Sequence, residues 1–200
     1  MRRQFFPAVT VALLFLVVAQ SGIASAEADV VDVSACAISA WSSDRDPAGL
    51  NVRAGPAADA RVIGLLPPPI EAEGYEFATE VSITGSKDGW FRIDKATVNN
   101  YLSDDKPEVV FEGEGWVSGR LLALILNAGE LRRDAAQDAA IVARLVGETA
   151  EGQGAGPDAF LVDRLHACRG DWVKVEGSFL GTSYTGWTTG TCSNQVTTCP

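Results

Sequence analysis

Two stretches of this chain read as copies of one another, and a duplicated unit constrains a fold more than any single motif does. Gly49 to Leu66 (GLNVRAGPAADARVIGLL) aligns without a gap on Ala128 to Leu145 (AGELRRDAAQDAAIVARL). Val52, Arg53, Asp59, Val62, Ile63 and Leu66 then face Leu131, Arg132, Asp138, Ile141, Val142 and Leu145 at an offset of 79 residues. The correspondence continues with Gly89-Trp90-Phe91-Arg92-Ile93 against Asp171-Trp172-Val173-Lys174-Val175. It closes with Gly115-Trp116-Val117-Ser118-Gly119 against Gly186-Trp187-Thr188-Thr189-Gly190. Three blocks in one order, twice, describe a tandem module.

The blocks resemble those of the bacterial SH3 (SH3b) domains. Members of that family carry a strand like Leu50-Asn51-Val52-Arg53, a turn like Ala54-Gly55-Pro56 and an apolar strand like Val62 to Leu66. Signatures like Gly89-Trp90-Phe91-Arg92-Ile93 and Gly115-Trp116-Val117 follow. The first copy matches every block; the second has Asp134-Ala135 in place of Gly-Pro and Thr188 after its last tryptophan. The resemblance implies an all-β protein of two tandem SH3-like small β-barrels, here preceded by a segment with the features of a cleaved signal peptide. It also implies a module that binds wall peptides or protein partners, a role often played beside a catalytic domain, none of which is legible in these 200 residues.

Arg2 and Arg3, an apolar run from Phe5 to Ala19 and the small residues Ala24-Ser25-Ala26 before Glu27 have the order of a secretory signal peptide. The run is shorter than the roughly 20 apolar residues that span a bilayer, and no second candidate follows, so no membrane insertion is expected. Val33-Ser34-Ala35-Cys36 looks like a lipoprotein box, but Glu27, Asp29 and Asp32 separate it from the apolar run. Arg2-Arg3-Gln4-Phe5-Phe6 partly resembles a twin-arginine signal. The expected layout is a signal peptide over 1–26, an acidic leader over 27–35, a first barrel over 36–126 and a second over 127–200, in a periplasmic or secreted protein. Losing Arg2 and Arg3 with the signal takes the net charge from −10 to −12. That charge repels phosphate backbones, so no nucleic-acid partner is expected.

Four cysteines, Cys36, Cys168, Cys192 and Cys199, in an exported chain predict two disulfides. Cys168 with Cys192 and Cys36 with Cys199 are the expected pairs. A strand ending near Thr188 should return antiparallel to the hairpin tip that carries Cys168, and SH3-like barrels have neighbouring termini. The rival joins Cys192 to Cys199 and Cys36 to Cys168. The cysteine spacing contains no C-x-x-C and His166 is the sole histidine, so neither metal nor cofactor is expected.

Cys36 to Trp41 alternates as a first strand, and Asp44 to Gly49 is a turn-rich loop. Pro67, Pro68 and Pro69 end the strand Val62 to Leu66. Asp88-Gly89 predicts a tight hairpin between Val81–Gly85 and Trp90–Ile93. Ala96 to Lys106 reads as an inserted loop with some helical character, and Leu121 to Asn127 as the last strand of the first module. Asp134 to Gly147 is rich in alanine, but its alignment with Gly55 to Leu66 makes it a turn and strand.

Cys36 and His166 would be the pair of a cysteine-dependent wall hydrolase, the weakest of three functional readings, because Cys36 lies on an alternating strand and has a disulfide as its natural fate. Trp90, Trp116, Trp172 and Trp187 recur at duplicated positions and read as core, with Trp41 in the same role. Tyr75, Phe77 and Tyr101 have no counterparts in the second copy and occupy loops enlarged only in the first, where a rigid scaffold carries its binding residues. These three are the candidate ligand-binding residues, and no catalytic residue is assigned. The expected function is a non-enzymatic binding module for cell-wall peptide or an envelope protein; the alternative is a structural scaffold in an envelope complex.

Overall fold

A computed structural model describes residue 1 and residues 32–196. The segment read as a signal peptide, the start of the acidic leader and Cys199 lie outside the described residues. Alternating apolar and polar side chains, broken by Gly and Pro, yield strands almost throughout. The first copy supplies β1 (Ser34–Ser42), β2 (Leu50–Arg53), β3 (Val62–Leu66), β4 (Ile70–Ala72), β5 (Tyr75–Phe77), β6 (Glu80–Lys87), β7 (Trp90–Val98), β8 (Glu108–Ser118), β9 (Leu122–Ala123) and β10 (Ile125–Leu126). The second supplies β11 (Glu130–Arg132), β12 (Ile141–Arg144), β13 (Gly147–Glu148), β14 (Gly154–Ala155), β15 (Leu161–Arg169), β16 (Trp172–Phe179), β17 (Thr182–Thr188) and β18 (Thr191–Cys192). Two 3-10 turns, Gly119–Leu121 and Pro157–Ala159, are the helical elements among the described residues.

The duplication is visible in the sheets. One sheet, curled into a half-barrel, has the order β3-β2-β8-β7-β6-β1-β9, and another β12-β11-β17-β16-β15. Without β1 and β9 the two orders are the same, and so are the registers. Val52 faces Gly64 and Arg53 faces Val62 across a bulge; Leu131 faces Ala143 and Arg132 faces Ile141 across another. Arg53 opposes Trp116, and Arg132 opposes Trp187.

The turn between each pair of short strands repeats bond for bond, although Gly-Pro has become Asp-Ala. Ala54 N donates to Arg61 O at 2.9 Å, and Arg133 N to Ala140 O at 2.8 Å. The guanidinium Nη1 of Arg53 donates to Ala60 O, and that of Arg132 to Ala139 O, both at 2.9 Å. Each arginine thus holds the far side of its own turn, and Asp134 Oδ1 adds a bond from Ala135 N at 2.8 Å. This geometry makes Asp134 to Ala140 a turn in spite of its helix-favouring alanines.

Gly115 and Gly186 explain why a glycine precedes each last tryptophan. A Cβ on Gly115 would lie 2.3 Å from Val52 Cγ1, and one on Gly186 would lie 2.8 Å from Leu131 Cβ. The short strand of each copy crosses its neighbour so closely that no side chain fits there.

From Asp32 onward the chain forms a single compact unit. One apolar cluster runs through both copies, from Val52, Phe91 and Ile93 to Leu131, Val173 and Phe179. The tryptophans divide by parity. Trp116 and Trp187 are buried, whereas Trp90 and Trp172 are half-exposed, which corrects their reading as core. Phe91 and Ile93, with Val173 and Val175, take the inward positions of β7 and β16, so the preceding residue in each must point out.

The cysteines pair differently from the favoured expectation: Cys36 is bonded to Cys168. Beyond Thr188 the chain turns at Gly190 (φ 64°) and enters β18, where Cys192 pairs in register with Ile125 instead of returning to the β15–β16 tip. That tip docks on β1. Ala37 N donates to Gly170 O at 2.8 Å and Gly170 N to Ala35 O at 2.9 Å, at an irregularity between Ala35 and Ile38 in the pairing of β1 with β6. Ser86 Oγ accepts from Cys168 N at 2.8 Å and Ser34 Oγ donates to Cys168 O at 2.7 Å. The bond staples one copy to the other. Cys192 is also disulfide-bonded.

Two further segments differ from expectation. Ala96 to Val98 extend β7, and the rest of the insertion up to β8 is turn without helix. Leu121 to Asn127 is broken into β9, which pairs with β1, and β10, which pairs with β18.

Candidate binding site

The hairpin of β4 and β5 turns on Glu73 (φ 52°) and Gly74 (φ 84°), the paired positive φ of a type I′ turn. Ile70 faces Phe77, Glu71 faces Glu76, and Ala72 faces Tyr75. Alternation therefore places Tyr75 and Phe77 on one face and the two glutamates on the other. The corresponding hairpin of the second copy, β13 and β14, carries no aromatic residue.

The structure brings the three candidate aromatics together. Tyr75 and Phe77 have centroids 6.4 Å apart and planes within 9°, and Phe77 meets Tyr101 at 5.7 Å with a 55° tilt. Their roles differ. Tyr75 is 59% exposed and Phe77 only 1%, so Phe77 supports the other two rings from beneath and is corrected as a ligand contact. Tyr101 is half-buried and its hydroxyl donates to Glu80 Oε1. Burial first, then the hydrogen bond and charge of Glu80, push the Tyr101 hydroxyl from 10.0 up to about 12, against a smaller opposing effect of Asn99.

The end of the second copy braces this cluster. Ser193 Oγ donates to Glu80 Oε2 at 2.9 Å. Gln195 accepts from Ala78 N at 2.8 Å and donates to Ala78 O at 2.9 Å, as a further strand would. Beside it lies a cavity of about 260 Å³ bordered by Trp41, Arg45, Pro69, Glu76, Ile125 and Gln195. Arg45 and Glu76 form an ion pair at its mouth. Sequence reasoning missed Arg45 and Gln195 and took Trp41 for core. Trp41 has no partner in the second copy, the same signal that singled out the tyrosines, whereas Gln195 follows the last repeated block and carries no pattern. A more open groove of about 630 Å³ along β1, between Thr84, Asp94 and Asp171, has no aromatic lining.

Cys36 has no free thiol, and His166 Nε2 lies 2.6 Å from Glu176 Oε2 on the neighbouring strand. Among the described residues no group of three or more His, Cys, Asp or Glu is placed to hold a metal ion. No helix among them is long and apolar enough to cross a membrane. The chain matches no family model, and no curated protein or solved structure shows significant similarity to it.

Proposed function

We propose that the protein is an exported, non-enzymatic binding module built of two SH3-like units, and that it captures cell-wall peptide or an envelope protein. The aromatic platform of Tyr75 and Tyr101 on buried Phe77 carries this reading, because it is partly exposed, beside a cavity and present in one copy only. An exposed aromatic face with a polar rim is the usual form of a peptide-binding hot spot. The net charge of −10 favours a ligand bearing amines over an anionic one. The Cys36 to Cys168 bond supports an oxidising compartment, and it removes the nucleophile that a cysteine-dependent hydrolase would need.

Sedimentation with purified sacculi tests the proposal. The wild type should co-sediment, and Tyr75→Ala should lower retention at least several-fold with the melting temperature unchanged. Equal retention of the variant would remove the platform from the reading. Absence of wild-type binding would favour the scaffold role, in which exposed Val62 and Leu65 on edge strand β3 receive a protein partner.

A further inference from the structure

Two small clefts lie at duplicated positions, one in each copy, apart from the aromatic platform. In the first, the half-exposed ring of Trp90 stands beside Arg53, with Asn51 and Ser118 on the walls. In the second, Trp172 stands beside Arg132, with Glu130 and Thr189 on the walls. Asn51, Arg53, Trp90 and Ser118 align with Glu130, Arg132, Trp172 and Thr189, so the centre of the cleft belongs to the repeated unit, whereas Asp44 and Asp46 line only the first cleft and Gln137 only the second. The tryptophans are the ones that parity turns away from the core.

We propose that each cleft is a subsite for a sugar ring of a glycan chain, so that the protein holds a polysaccharide at two points. The chemistry favours this class. An indole face stacks on the C–H face of a sugar ring, and a flanking carboxamide or carboxylate accepts from its hydroxyls. Both elements recur: Asn51 with Asp44 and Asp46 in the first cleft, and Gln137 in the second, where both carboxylate oxygens of Glu130 are held by Arg132 and Arg144. Arg132 is ion-paired with Glu130 at 2.6 Å, and Arg53 donates to its own turn in a cleft that Asp44 and Asp46 also line, so the surroundings of both guanidinium groups disfavour a phosphate or carboxylate ligand. The clefts hold about 140 and 260 Å³. That is below the about 300–1,000 Å³ of pockets that enclose a small molecule. A single sugar should therefore bind weakly and a polymer well, since linked sites gain about 10²- to 10⁴-fold over either alone.

The test uses the oxidised protein on chitin beads, with soluble N-acetylglucosamine as the monomeric competitor. The wild type should be retained and resist the monomer. Asn51→Ala or Gln137→Ala alone should lower retention roughly tenfold or more, and the double variant should abolish it. Both side chains are exposed, so the variants should melt as the wild type does; Trp90→Phe with Trp172→Phe, which keeps a stacking face, should retain most binding. Failure of the wild type to bind chitin, or full retention of the folded double variant, would overturn the proposal. Tyr75→Ala should leave chitin retention intact, which separates this outcome from failure of the platform.

Discussion

Tyr101 stays protonated well beyond the usual range of a phenol because its charged form would be partly buried and would face Glu80. Its folded value of about 12 lies above the ordinary 10.0. The stability it contributes is therefore complete below pH 10 and is lost as pH rises through about 12. An ultraviolet titration should show one tyrosine ionising late, and Tyr101→Phe should delete that step alone. Loss of the buried Phe77 ring is a packing matter: Phe77→Ala should cost about 3–5 kcal/mol in denaturant unfolding. Gly115→Ala and Gly186→Ala should each destabilise, since the added methyl has no room. At this scale the sequence was legible where parity was followed. Phe91 and Ile93 alternate inward in plain sight, and Trp90 was misread as core because its recurrence at a duplicated position was ranked above that alternation. Phe77 was misplaced for the opposite reason, because a three-residue strand is too short to display a period.

Among the elements, the repeated turn is the informative case. Its Gly-Pro has been lost from the second copy, yet the arginine two residues earlier keeps the loop closed through the carbonyl of residue 139. Arg132→Met should cost roughly 1–3 kcal/mol by leaving that carbonyl without its charged donor, read as a shift in denaturant midpoint at constant slope. The hairpin of β15 and β16 shows the same economy. Asp88-Gly89 in the first copy becomes Gly170-Asp171 in the second, and both are two-residue turns with positive φ where glycine or aspartate tolerates it. These hairpins could be read directly from dipeptides. The β10–β18 pair could not, because two strands of two residues each, far apart in sequence, carry no periodic signal.

For the whole molecule, one apolar cluster through both copies predicts a single cooperative transition in calorimetry, not one for each copy. Cys36→Ser with Cys168→Ser opens a loop of sequence separation 132 and should lower stability by about 3–5 kcal/mol. Peptide mapping without reduction should recover Cys36 linked to Cys168, and Cys192 linked to the one cysteine that then remains in the sequence. The staple also sets an order of events on the growing chain. Its two sulfurs leave the ribosome 132 residues apart, a delay of roughly 7–26 s at about 5–20 residues per second. Once β10 has emerged the first copy has all its own strands, and for the rest of that interval it lacks the tip that clamps β1. β1 must wait with its thiol unsecured until β15 and β16 exist, so the first copy is completed only by the second.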